Sequence, residues 1–549
     1  MYGFFPTKVH ERRHEELKTG RVITIILVLS FLPIQGSSGG NLDLPRGIHL
    51  TWQSDDTAHT MTVTWLSIYE NSGAMVLYDT IPRGGEIGLY RYFTEGGTHT
   101  YLGASGFIHD VELSGLMPEM TYYLICGGDG GWSRELAFRT APLGRRDLRF
   151  VVGGDSRTNL NDRDLISRAM SVFNPRFVLF SGDMVADGNI QSQWDDFFGH
   201  MDEYWMGDNG LAIPVIPALG NHEKNSDKYF DQFALPGNEE WYSIDWGSDL
   251  HITVLNSETG LEGIEAQTEW LEEDLSEHSD YPWKVVLFHR NVLKSYHDWF
   301  LAAINHWVPI FDRYGVDLVV TGHSHNYMRS KPVNLTASHE EAMPTYAEGV
   351  MYLSSGGWGA PLYETVQGWW VAHTESTLHF ALIDIYLNGT MHVQAKSGDG
   401  ETFDEVRIHK ELPNLEELLS TRLEKTEAKL LALEDENEIL LSEITILRGE
   451  IDELISQNQT ETEREKGLES QLSDFQDQLE MSEEGYAELL EEKVELENVV
   501  VARTSQLEEV ENKVEKLDRV IQQRTYILGV GLSITLIVLA VLGSRLRLS

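Results

Sequence analysis

Five short clusters of oxygen- and nitrogen-bearing side chains stand out in this 549-residue chain. They are Asp155 in Gly153-Gly-Asp-Ser-Arg157, Asp183 after Ser181-Gly182, Asn221-His222-Glu223 after Gly220, His289, and His323-Ser-His325 after Gly322. Carboxylate, amide and imidazole without thiolate make an O/N donor set, suited to Mn, Zn or Fe. The single cysteine, Cys126, excludes a Cys-based metal cluster and any intrachain disulfide. Gathered in one place, these groups would bury uncompensated charge unless cations neutralised it. Two ions about 3.5–4 Å apart can hold a phosphoryl group, raise a nucleophile at neutral pH and stabilise the leaving oxygen. Any one cluster reads as well as a turn or a satisfied core histidine. Five in this order point to hydrolysis.

Each cluster follows an apolar run: residues 148–152, 177–180, 213–216, 284–288 and 318–320. Short continuous apolar runs read as strands buried on both faces, and stretches such as 268–275 supply amphipathic helices between them. In layered α/β folds, ligands gather beyond the carboxyl ends of the strands, so the clusters should converge. Residues 147–410 are therefore read as the catalytic domain. Residues 46–141 alternate in short strands broken by Gly/Pro turns, a β-sandwich without evident chemistry of its own.

Charge divides the rest. The formal net charge is −45, which repels phosphate backbones and argues against nucleic acid as a partner. Between Glu411 and Gln523 there are 32 acidic and 11 basic residues. Over that stretch a 4-3 apolar spacing runs from Leu419 to Ile521, with Ile444 and Ile451 at a, Leu447 and Leu454 at d, and Asn437 and Asn458 at a. The pattern predicts a coiled-coil stalk over residues 414–523 that pairs in parallel as a homodimer. Residues 1–40 have the basic start and short apolar run of a signal peptide, or else of an N-terminal anchor. Residues 526–544 are apolar enough to span a bilayer, with Arg545 and Arg547 behind them. The layout predicts a single-pass cell-membrane protein whose bulk is extracellular. Outside the cell, Asn334, Asn388 and Asn458 would be candidate glycosylation sites.

Between about residues 47 and 408 the chain resembles the calcineurin-like metallophosphoesterases, specifically the purple acid phosphatase branch. Besides the five clusters, His49-Leu-Thr-Trp52, Met61-Thr-Val-Thr-Trp65, Phe138-Arg-Thr-Ala-Pro142, Trp241-Tyr-Ser-Ile-Asp-Trp-Gly247 and Gln267-Thr-Glu-Trp-Leu271 carry the likeness. The resemblance implies a fibronectin type III-like sandwich before a four-layer α/β/β/α catalytic domain. It implies that Asp155, Asp183 and His325 bind a first metal, with Asp183 bridging, and that Asn221, His289 and His323 bind a second. His222 would touch substrate oxygen and act as general acid toward the leaving alcohol. The reaction would be phosphomonoester hydrolysis by a metal-bridging hydroxide, with Asp183 and His222 as the catalytic pair and Asn221 and His222 on the substrate.

Two positions depart from the pattern. The family's GDxxY tyrosine, which colours Fe(III), is absent from Asp183-Met-Val-Ala186, and the alternative D-x-H histidine is replaced in Asp155-Ser-Arg157. The first metal then lacks a protein ligand; water, Asp187 or Asn159 could supply it. A divalent pair of Mn, Zn or Fe and a colourless protein follow. Arg157 could clamp substrate phosphate or serve as an ordinary ion-pair partner. The rival to the enzyme is a surface binding protein with a phosphoesterase-like head. Within the enzyme reading, phosphodiesters and nucleotides compete with monoesters, and the choice would lie in the loops at 187–209 and 332–349.

Overall fold

In the computed structural model the described residues are 42–457, except 337–342, 344 and 347, together with 467, 470–495 and 497. The expected signal peptide, the 526–544 span and part of the 332–349 loop lie outside them. Among the described residues, no helix is long and apolar enough to cross a membrane.

The N-terminal unit is β-rich. One sheet orders Arg46–Thr51, Met61–Ser67, Phe107–Leu113 and Gly97–His99; the other is built on Met75–Asp79 and Thr121–Gly128. Trp52, Trp65, Val76, Val111 and Leu124 are buried and belong to one core cluster that continues into the catalytic domain. The join is made by the helix Gln191–Tyr204, whose Phe198 stacks on His49 at 4.2 Å. The Thr51 hydroxyl also donates to the Ala234 carbonyl across that join.

The catalytic unit has two sheets. A six-stranded sheet orders Val215–Pro217, Val178–Phe180, Leu148–Gly153, His379–Tyr386, Thr390–Ser397 and Thr402–His409. Its first three strands are parallel, as the βα alternation of the sequence requires. A seven-stranded sheet carries Leu250–Val254, Trp283–Leu287, Leu318–Thr321 and Met351–Ser355 in parallel. Its strands are apolar on both sides because they serve two cores. Val285 and Leu287 join the core shared with the six-stranded sheet, whereas Val286 and Phe288 pack with Ile264, Leu271, Trp307 and Phe311 of the outer helices. Helix Leu160–Ser171 covers the other side through Ile166 and Met170.

The acidic tail begins as the helix Leu415–Gln457. Its heptad seam is where side chains are covered: Leu430, Leu440, Ile444 and Leu447 are buried. The partner is the chain itself. Residues 470–495 form a second helix running the opposite way, with Lys493 3.4 Å from Glu427 and the Tyr486 hydroxyl donating to Glu434 at 2.7 Å. The expected parallel homodimer is thus replaced, over these residues, by an antiparallel intrachain hairpin. Heptad spacing marks a buried stripe and says nothing of which helix covers it. The hairpin is fastened to the head: Arg422 pairs with Asp280 at 2.6 Å and lies 3.8 Å over the Tyr281 ring. Lys425 reaches the same carboxylate, and His59 pairs with Glu495.

Candidate active site

The five polar clusters meet where the two sheets present their parallel strands' carboxyl ends. Leu148–Gly153, Val178–Phe180 and Val215–Pro217 deliver Asp155, Asp183 and Asn221-His222; Trp283–Leu287 and Leu318–Thr321 deliver His289 and His323-Ser-His325. The turns there are strained. Asp155, Asp183 and His323 take positive φ values of 60°, 56° and 64°, a region non-glycine residues rarely adopt. Gly182 permits the close approach of two of these turns: its φ is 90°, and a Cβ there would lie 2.6 Å from the Gly220 nitrogen. The loops then lock by cross-bonds. The backbone N–H of His323 donates to Asp155 Oδ2 and that of His222 to Asp183 Oδ1, both at 2.9 Å.

Within this frame the expected ligands come together as two groups sharing Asp183. Asp155, Asp183 and His325 are all buried, with donor atoms mutually within 4.8 Å. Asp155 Oδ1 is 3.4 Å from His325 Nε2 and, though buried, has no hydrogen-bond partner among the described residues. In the second group His289 Nε2 lies 3.0 Å from Asn221 Oδ1, 3.1 Å from His323 Nδ1 and 3.4 Å from Asp183 Oδ1. Each of the imidazoles His289 and His325 is oriented from behind: Nδ1 of His289 donates to the Ser181 carbonyl and Nδ1 of His325 to that of Pro361. That turns Nε2 of each inward, the usual preparation of a metal-binding histidine.

The electrostatics ask for positive charge. Burial alone would depress His289, but the Asp183 and Asp155 carboxylates outweigh it and push it up to about 9. His323 goes the other way, lowered by burial and by the neighbouring His289 charge. A buried, orphaned carboxylate oxygen beside inward-facing imidazole nitrogens is what a divalent cation satisfies, so the donor set fits two such ions.

His222 stands apart from both groups at the rim. Its Nδ1 donates to the Ala186 carbonyl at 2.6 Å, and Nε2 is 3.7 Å from Asp183 Oδ2, with 28% of the side chain exposed. Of the residues considered for the extra first-site ligand, Asp187 accepts from Lys224 and Asn159 donates to Asp162. Arg157 turns inward, its Nε donating to Asp183 Oδ2 and its Nη2 to His325 Nε2, each at 3.2 Å.

Three further residues shape the site. Glu223 is fully buried and accepts from the backbone N–H groups of Gly220, Asp183, Met184 and Val185, tying two ligand loops together. Burial, and then the Asp183 charge, push its carboxyl up to about 8. Its place directly after Asn221-His222 is the signal that could have drawn attention to it. Tyr363 stacks on His325 at 4.0 Å and His297 on His323 at 4.0 Å. Neither belongs to a cluster in the sequence.

A second group has similar chemistry: Asp245, His251 and His278, with donor atoms also within 4.8 Å. Here both His251 nitrogens already face carboxylates, Asp245 at 2.8 Å and Asp274 at 3.0 Å. His278 stacks on His251 at 4.0 Å, and the Tyr281 hydroxyl donates to Asp245. It lies beneath the hairpin, far from the strand ends that carry the first group.

Both domains resemble known proteins. Residues 45–140 match the family model for the N-terminal domain of purple acid phosphatases, and residues 148–327 match that for calcineurin-like phosphoesterases. Purple acid phosphatase 18 of Arabidopsis thaliana is 28% identical over 322 residues, covering 53% of this chain and 67% of its own. Acid phosphatase type 7 of Homo sapiens is 27% identical over 428 residues, 70% of this chain and 95% of its own. A solved purple acid phosphatase from yellow lupin (Lupinus luteus) seeds shares the fold at a TM-score of 0.58 and 21% identity, over 67% of this chain and 74% of that one.

Proposed function

We propose that this chain, a metal-dependent phosphoesterase of the calcineurin-like superfamily and its purple acid phosphatase-like branch, hydrolyses phosphate monoesters at a two-ion centre. The observation that carries the proposal is the pairing of two inward-facing donor groups on one shared carboxylate, Asp183, with an orphaned oxygen on Asp155. Asp155, Asp183 and His325 would hold one ion; Asn221, His289 and His323, with Asp183, the other. Bound there, divalent ions supply Lewis acidity toward the phosphoryl oxygens and an activated water at neutral pH.

The chain's own residues do the rest. Pro361 and Ser181 carbonyls keep His325 and His289 in the tautomer that presents Nε2 inward. Glu223 fixes the spacing of the Asp183 and Asn221 loops, so ligand positions are set before substrate arrives. His222, anchored through Nδ1 and open at Nε2, would give the departing alkoxide its Nε2 proton as the imidazolium and be left as neutral imidazole. Asn221 and His222 together line the side from which the ester approaches.

We propose further that the head works outside a membrane, tethered by residues 526–544; the apolar run and the arginines behind it support this reading. The test is turnover of p-nitrophenyl phosphate and bis-p-nitrophenyl phosphate by the full chain with added Mn, Zn, Fe or Co. Metal-dependent activity that His323→Ala abolishes is expected, with the monoester faster. A folded protein without turnover under any metal would leave a binding head instead, and a faster diester would redirect the substrate class.

A further inference from the structure

We propose that Arg157 is a built-in competitor for the first cation, so that the two ion sites load unequally. The group of Asn221, His289 and His323 with Asp183 takes its ion first. The group of Asp155, Asp183 and His325 takes one only when the Arg157 guanidinium lets go. The inference rests on the two-ion reading above and concerns how that centre is filled.

The argument begins with a single lone pair. His325 donates through Nδ1 to the Pro361 carbonyl at 2.7 Å, so Nε2 has one lone pair and no proton to offer. Arg157 Nη2 donates to it at 3.2 Å. A cation coordinated by Nε2 would need the same lone pair, so the two occupants exclude each other. Arg157 Nε also donates to Asp183 Oδ2 at 3.2 Å, engaging a second donor of the same group. The guanidinium cannot be deprotonated, so it supplies the positive charge that an ion would otherwise bring.

Yet the replacement is incomplete. Asp155 Oδ1, fully buried, has no hydrogen-bond partner among the described residues, although it lies 3.4 Å from His325 Nε2. A side chain serving as a permanent surrogate should satisfy all three donors, because a buried orphan carboxylate oxygen is costly. Arg157 satisfies two and leaves the third for an ion, which makes it a competitor. Among the described residues, no guanidinium is hydrogen-bonded to the other group. The nearby Arg290 is held away by Glu258 at 2.6 Å.

The residue after Arg157 is strained. Thr158 has a φ of 86°, an outlier for a β-branched residue. Released from His325, the guanidinium remains beside the place where an ester phosphate would sit, and its fork matches phosphate oxygens. Phosphate and the first ion therefore favour the same Arg157 position, and each should tighten the other.

The experiment is equilibrium dialysis of the full chain against Mn²⁺, with bound metal measured by atomic emission and ion pairing by the coupled-manganese EPR signal. Wild type should bind one ion tightly and a second at least about tenfold more weakly, with inorganic phosphate strengthening the second. Arg157→Ala and Arg157→Gln should bring the second affinity toward the first, and Arg157→His, which adds an imidazole, should do so most. Thermal melts identify any variant that fails to fold, and the Gln variant, which keeps a polar side chain, covers that case. Equal affinities in wild type, or folded Ala and Gln variants that leave the second affinity unchanged, would overturn the proposal. His323→Ala separates the two levels: if it keeps both ions, the two-ion reading itself fails, whatever Arg157 does.

Discussion

Two groups among the described residues hold the same residue types, Asp and His, within the same 4.8 Å, and only one is arranged as a site. Around Asp245, His251 and His278 every described donor meets an acceptor, and the charges close on themselves. Around Asp155, Asp183 and His325 one carboxylate oxygen is orphaned and the backbone is held in a rare conformation at two of the three ligands. The difference teaches that composition and proximity do not identify a metal centre. Unmet demand does, together with the strain that the surrounding fold maintains to keep it unmet.

The sharpest way to break the comparison is to exchange its readouts. Asp183→Asn should cost on the order of 10³-fold in kcat/KM, since it removes the shared ligand, while leaving the melting temperature nearly unchanged. A large loss of stability in that variant would mean that the first group is structural too. His251→Gln should do the opposite. His251 is pushed up to about 9: burial opposes the shift, and the Asp274 and Asp245 carboxylates override it. Because its folded value is raised, its contribution is full below the unfolded value of about 6.5 and is lost as pH rises through about 9. We expect the variant to lose about 3 kcal/mol at pH 6 and the deficit to shrink toward pH 10, with activity retained. Denaturant unfolding across that range is the check, and a deficit that grows with pH would remove the ion-pair reading.

His222→Ala should lower turnover roughly 10²-fold on poor leaving groups and less on p-nitrophenol, which needs no proton. Metal content should stay the same, so dialysis distinguishes it from a ligand. Iron-loaded protein should lack the visible charge-transfer band of a tyrosinate, because Ala186 occupies the position of the expected phenol. A purple colour would point to Tyr363, the phenol stacked on His325. Smallest of all, Arg422→Ala should cost about 1 kcal/mol and act on the hairpin alone. Hydrogen exchange should rise over 415–457 and 470–495 while the strands that carry the ligands remain protected.

Much of the centre is legible in the amino-acid sequence. Polar residues directly after apolar runs mark strand ends, and strand ends converge in an α/β fold, so all six expected ligands and His222 are found together. What failed was local. Asp187 and Asn159 lie near Asp183 and Asp155 in sequence, but Lys224 and Asp162 claim them, and spacing carries no record of such competition. Arg157 was singled out without its direction, because χ angles decide whether a guanidinium faces substrate or ligand. Tyr363 and His297 come from loops whose placement depends on long-range packing, and a single sequence has no pattern for that. The heptads mark a stripe that needs cover, and the expected parallel second copy does not follow from them, since such a stripe is equally well covered by a returning helix.

That returning helix changes how the tail bears load. A parallel stalk would carry tension along its axis, with every seam contact resisting at once in shear. Here residues 415 and 495 both lie at the head, the latter beside His59. The helix Leu415–Gln457 alone is about 65 Å long. Pull applied beyond residue 495 therefore reaches the hairpin at its open end and parts the seam one contact after another, like a zip.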